Sequence, residues 1–148
     1  MFGLEIINSV VFTRSVALDL TNRHMKKEII TDKAPAPAGT YSQAIKVGNR
    51  IYVSGQGSIN PETGKSAETT DEQTRQVLTN IKNILQAAGA TIDDVVKVTA
   101  YLADLKDFQE YDKVYSKFFT APYPVRTTVG SQLLNTLVEI DVIAELNE

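Results

Sequence analysis

The sequence contains no cysteine and a single histidine, His24. The first absence excludes disulfides, thiolate metal sites and a cysteine nucleophile. The second disfavours Ser–His–Asp chemistry and histidine-built zinc sites. Acid–base work therefore falls to Asp, Glu, Lys, Tyr or water. Positive charge is also scarce: 15 Lys and Arg stand against 18 Asp and Glu, a net charge of −3. The counterion-releasing surface of a nucleic-acid binder is not visible in such a balance. Long apolar runs are missing too. In the opening segment, "MFGLEIINSVVFTRSVALDLTNRH", the longest uncharged stretch is Ile6 to Thr13, far too short to span a bilayer. No basic region precedes it and no small-residue cleavage site follows, so a secretory signal is not expected. Arg14 and Arg23 suit a mitochondrial presequence, but Glu5 and Asp19 do not.

What is present is an ordinary globular composition, 43% apolar and 22% charged over 148 residues, enough for one domain with a real core. Residues 1–28 read as an N-terminal extension or leader and 29–148 as the single domain. Met25 with "KKEIITDKAPAPAGTYSQ" looks like a natural beginning, so residues 1–24 are either an add-on or an extra strand or helix. "APAPAG" (34–39) is a linker by composition. "YSQAIKVG" and "RIYVSGQGSI" read as two strands about a Gly48-Asn49 turn. A helix follows. Thr70 and Gln73 suggest a capping box, Leu78, Ile81, Leu85 and Ala88 form one stripe, and Gly89 is placed to end it. "DDVVKVTAYLADL" alternates as a half-buried strand, with Val96, Val98, Ala100 and Leu102 inward. A second helix carries Phe108, Tyr111, Tyr115 and Phe118 in a stripe, read as core packing. "RTTVGSQLL" and "LVEIDVIAEL" are the closing strands. The pattern predicts an α+β fold, a mixed sheet with two helices on one face. Its other face mixes Lys97, Thr99, Glu139 and Asp141 with Tyr101, Leu137 and Ile143, which suggests partial cover by another subunit.

Two apparent nucleotide motifs fail. "TGKS" (63–66) has Ile59 where a phosphate loop needs its first glycine. "GQG" (55–57) is too short for a dinucleotide fingerprint and leads into a turn. What remains is Tyr41, Ser54, Arg126 and Glu139. Taken singly, each has a plain structural explanation: packing, a bend, a strand end, a solvated carboxylate. Arg126 stands out because Pro122 and Pro124 place it where a turn becomes a strand, a position that can hold a guanidinium rigid.

The stretch "APAPAGTYSQAIKVGNRIYVSGQGSINPETGK" resembles the amino-terminal signature of the reactive intermediate deaminase (Rid, or YjgF) family, with its G-P-Y-S-Q-A and Y-x-S-G-Q-x-x-x-N-P-x-T-G motifs. "QTRQVLTNIKNILQAAGATIDDVVKVTAYLADLKDF" is similar to its helix–strand unit, "PVRTTV" to its P-A-R-S/T motif and "VEIDVIA" to its closing strand. The likeness runs in collinear order from about Ala34 to Leu146.

That resemblance implies a chorismate-mutase-like subunit, a homotrimer with sites between subunits, and hydrolysis of 2-imino and enamine acids (2-iminobutanoate or 2-iminopropanoate type) to 2-oxo acids and ammonia. By motif it implies Arg126 as the carboxylate anchor and Glu139 as the base for water. Tyr41, Ser54, Gly55 and Thr128 would line the substrate site, and Asp112 would sit where an asparagine often faces the pocket. No metal or cofactor is expected, because a protonated imine needs only orientation and a base for one water. The expected partners are a small 2-imino or 2-oxo acid and further copies of the chain, with no nucleic acid and no membrane. The expected compartment is the cytoplasm, or the mitochondrion if residues 1–24 act as a presequence. Three positions depart from the pattern: Thr40 replaces a proline, Asp112 replaces the asparagine, and the stretch between Arg126 and Glu139 is about two residues short. Two other readings stay open. One is a non-catalytic sensor of 2-oxo acids or similar metabolites; the other is an endoribonuclease or translation inhibitor.

Overall fold

The computed structural model describes residues 25–147. The expectations for residues 1–24 lie outside the described residues. Among the described residues six strands form one sheet: β1 (Lys27–Ile29), β2 (Ala44–Val47), β3 (Arg50–Gln56), β4 (Val95–Leu102), β5 (Val125–Gly130) and β6 (Val138–Glu145). Two α-helices of the described residues, α1 (Thr70–Ala87) and α2 (Phe108–Tyr115), connect them. The strand order is β1-β2-β3-β6-β4-β5. Only β4 and β5 pair in parallel, as a strand–helix–strand crossover requires; the other neighbours are antiparallel. This is the expected α+β architecture.

The core lies between the sheet and α1. Val77, Leu78, Ile81, Ile84 and Leu85 from the helix meet Ile51, Val98, Ala100, Leu102, Ile140 and Ala144 from the strands, all fully buried. The apolar stripe of α1 is continuous because these positions recur with helical spacing. The helix ends where Gly89 adopts φ +81°, a conformation that costs a glycine little.

Several local expectations give way. The Thr70–Gln73 capping box does not form: the N-cap is Thr69, and Thr70 Oγ1 donates to Asp107 at 3.0 Å. Gln73 is 5% exposed and serves the interior. Its Oε1 accepts from the Leu137 amide at 2.7 Å and from Ser58 Oγ at 2.9 Å, while its Nε2 donates to the Ala67 carbonyl at 2.7 Å. Val96 faces outward at 43% exposure because the β4 register shifts between Val95 and Lys97, so Val95 fills the inner position. Leu137 packs against the core instead of lying on the open face. Helix α2 ends at Tyr115, and beyond it Phe119, at 4% exposure, is the buried aromatic while Phe118 is half-buried. β2 starts at Ala44 and β5 stops at Gly130, so the strands are shorter than their β-forming runs.

The sheet begins at Lys27, inside the segment read as an extension, and three residues are too few to show alternation. The "APAPAG" stretch is fastened to the domain by Gln43, whose Nε2 donates to the carbonyls of Thr31, Ala34 and Pro35 at 2.8–3.2 Å. Among the described residues, no helix is long and apolar enough to cross a membrane.

Candidate active site

Register decides which face each candidate residue occupies. In the parallel β4–β5 pair Arg126 stands beside Val98, and Thr128 beside Ala100. Both β4 partners are fully buried beneath the helices, so Arg126 and Thr128 face the helical layer. In the antiparallel β4–β6 pair Glu139 stands opposite Tyr101. Tyr101 lies an odd number of residues from Val98 and Ala100, on the other side of the pleat. Arg126 and Glu139 of one chain therefore sit on opposite faces of the sheet. The expected set divides into two half-sites.

The first half-site is built around Arg126. Its guanidinium carbon lies 4.4 Å from the ring centre of Tyr115, 5.5 Å from that of Tyr111 and 5.7 Å from that of Phe108. Such contacts attract a cation to the ring faces. The aromatic stripe of α2 is thus core and, on its β5 side, the seat of the arginine. Nη1 donates to Asp112 Oδ1 at 2.7 Å, its one hydrogen bond among the described residues. A guanidinium has five N–H donors in a rigid fork, so most of them remain open. Burial by itself lowers the pKa of Arg126; the hydrogen bond to Asp112, followed by Tyr111, the charge of Asp112 and Tyr115, more than offsets it and leaves the pKa raised. The arginine is a permanent cation.

Three polar atoms beside it are buried without a hydrogen-bond partner among the described residues: Tyr111 Oη, Tyr115 Oη and Thr128 Oγ1. Burial pushes the Tyr115 hydroxyl up to about 12, and it raises Tyr111 in the same direction against the opposing influence of Arg126. Both phenols stay protonated and able to donate. Buried polar groups in folded proteins are nearly always paired, so three unpartnered atoms around one cation single this place out as a candidate site. A cavity of about 470 Å³ opens here, lined by Asp112, Tyr115, Ser116, Tyr123, Pro124 and Arg126.

The second half-site is built around Glu139. A Cβ on Gly55 would lie 2.5 Å from Glu139 Oε1 and 3.1 Å from its Cδ. Only glycine allows the carboxylate to rest on the β3 backbone, which gives Gly55 a physical reason to be there. Ser54 precedes it in the register shift between Val53 and Gln56. Its Oγ donates to the Ser42 carbonyl at 2.6 Å and its amide to the Gln43 carbonyl at 3.0 Å. Those bonds fix the loop that carries Tyr41, whose hydroxyl accepts from the Ala38 amide at 3.1 Å and whose ring is half exposed. Tyr41, Ser54, Gly55 and Glu139 thus form one connected group, and Arg126, Thr128 and Asp112 another. Tyr111, Tyr115 and Tyr123 were not singled out as site residues in the sequence. The signal that finds them is the parallel pairing of β5 with β4, a long-range fact that local spacing does not carry.

Known proteins share this arrangement of elements. The family model described as Endoribonuclease L-PSP matches residues 31–146. A RutC family protein of Pyrococcus abyssi is 52% identical over 124 residues, covering 81% of this chain and 98% of that protein. Reactive Intermediate Deaminase A, chloroplastic, of Arabidopsis thaliana is 46% identical over 134 residues, covering 88% of this chain and 72% of that protein. The crystal structure of RidA from the Antarctic bacterium Psychrobacter sp. matches with a TM-score of 0.79 at 45% identity, covering 81% of this chain and 99% of that one. The chain therefore belongs to the Endoribonuclease L-PSP family, the Rid/YjgF family of reactive intermediate deaminases whose motifs it carries.

Proposed function

We propose that the protein is a hydrolytic deaminase of 2-imino acids and their enamine tautomers, of the 2-iminobutanoate and 2-iminopropanoate type. Its working form is a homotrimer in which each site takes Arg126 from one copy and Glu139 from its neighbour. The observation that carries this reading is the seat of Arg126: a guanidinium held over three rings, with only one N–H committed to a side chain. A planar carboxylate fits the open edge of that fork with two parallel hydrogen bonds.

The opposite-face placement of Glu139 supports a shared site, because one chain by itself cannot bring base and anchor together. Assembly also explains why Tyr52, Val125 and Val129 lie open on the face that bears Glu139. The chemistry is short. The substrate carboxylate pairs with Arg126, which orients the imine carbon. Glu139 takes a proton from a water as the water oxygen adds to that carbon. It returns the proton to nitrogen, receives the hydroxyl proton as the C–N bond breaks and the C=O bond forms, and passes that proton to the departing ammonia, which leaves Glu139 ionised again. Iminium acid plus water becomes 2-oxo acid plus ammonium.

A non-catalytic sensor of 2-oxo acids is the second reading, favoured by the hold that Asp112 already has on Arg126. The ribonuclease reading finds no support in a net charge of −3. The test supplies the protein with the enamine product of a threonine dehydratase and follows ammonia release. Acceleration beyond the rate in buffer supports the deaminase. Binding of 2-oxobutanoate with no acceleration would leave the sensor.

A further inference from the structure

We propose that Asp112 and the cavity around it form a subsite for a positively charged substrate side chain, so that the site prefers 2-imino acids with a basic group. This rests on the reading of Arg126 as the carboxylate anchor. Asp112 touches Arg126 through Oδ1 alone; Oδ2 makes no hydrogen bond among the described residues. Its side chain is 45% exposed and lines the 470 Å³ cavity, so the free oxygen is available to a ligand. That volume lies in the range of pockets for molecules much larger than a four-carbon acid.

The charge balance gives the direction. The cavity is lined by one cation, Arg126, and one anion, Asp112. Once a substrate carboxylate neutralises Arg126, Asp112 is left as an unbalanced anion beside the ligand. A neutral side chain leaves that charge uncompensated; a cationic one pairs with it. The exposed ring of Tyr123 on the same wall adds a group that attracts cations. An asparagine at this position would lack the preference. Asp112 is thus the residue that selects the side chain, while Arg126 and Glu139 act on the part common to all 2-imino acids.

The test compares 2-imino acids generated in place by an amino-acid oxidase from arginine and from leucine. Wild type should favour the arginine-derived imine. In Asp112→Asn the ratio of kcat/KM for the two should fall about two- to five-fold, the range of a partly exposed ion pair. The change should sit in KM, and the leucine-derived imine should bind more tightly as repulsion is removed. Calorimetry with the 2-oxo acids of arginine and leucine gives the same comparison without turnover. A ratio that Asp112→Asn leaves unchanged in both measurements overturns the subsite. Failure of wild type to hydrolyse either imine overturns the deaminase reading instead, and the calorimetric comparison then decides on Asp112 independently.

Discussion

The helix-covered face of the sheet is closed within one chain: Val98, Ala100, Leu102, Ile140 and Ala144 leave no accessible surface. The opposite face, with Tyr52, Lys97, Tyr101, Val129, Glu139 and Ile143, has no layer over it among the described residues, and Tyr52 and Val129 stay about two-fifths exposed. The first face has the chemistry of a finished core. The second mixes carboxylates with apolar side chains, as a surface does when it meets another copy. Each face carries half of the candidate site, and what differs is the source of its rigidity. Arg126 is fixed by rings from its own chain. Glu139 is given room by the absence of a side chain at Gly55 and, in the proposed trimer, is held by the partner.

The largest effect is expected on the closed face. Arg126→Ala should fold normally yet lose about thirty-fold to several thousand-fold in kcat/KM, the range for truncating a sheltered charge-assisted contact of about 2–5 kcal/mol. Arg126→Lys should recover only part, since an ammonium keeps the charge and loses the fork. Glu139→Gln should separate the halves: calorimetric affinity for 2-oxobutanoate retained, imine hydrolysis lost. Wild-type turnover in folded Arg126→Ala would remove the anchor from the account.

Stability should sort by face as well. Ile140→Ala, in the closed core, should cost about 2–5 kcal/mol in denaturant unfolding. Ile143→Ser, three residues along on the open face, should leave the subunit fold intact and show its effect in sedimentation as weakened association. Equal loss of subunit stability in both would contradict the distinction. A smaller, local effect is expected at the second half-site. Gly55→Ala should displace the Glu139 carboxylate and lower kcat by about ten- to a hundred-fold through misplacement of the base. Its melting temperature should change little, because the group that must move is the end of a flexible side chain.

Much of this division was legible in the sequence, and the misses share a cause. Alternation in "VEIDVIAEL" already put Glu139 and Val138 on opposite faces, and the prolines before Arg126 marked it out. Gly89 ended its helix as expected because the signal there is a single backbone angle. Thr70, Gln73 and Val96 depart from their local pattern because distant partners decide their roles: Asp107 and Leu137 claim the first two, and a register shift turns the third outward. The rings beneath Arg126 showed helical spacing but not their target, since the neighbour of β5 depends on sheet topology. Asp112 was legible as an odd charge, and only its 2.7 Å contact with Arg126 gave that charge a place.

The central claim, that one chain's arginine works with another chain's glutamate, is tested most directly by mixing two dead variants. Arg126→Ala and Glu139→Gln, each inactive alone, are co-expressed so that their subunits assemble at random. In a closed ring of shared interfaces, about a quarter of the sites then join an intact Arg126 to an intact Glu139. Imine hydrolysis should return to about a quarter of the wild-type rate. If both residues served a site within one chain, every site in the mixture would carry a lesion, and activity no higher than that of the separate variants would contradict the account.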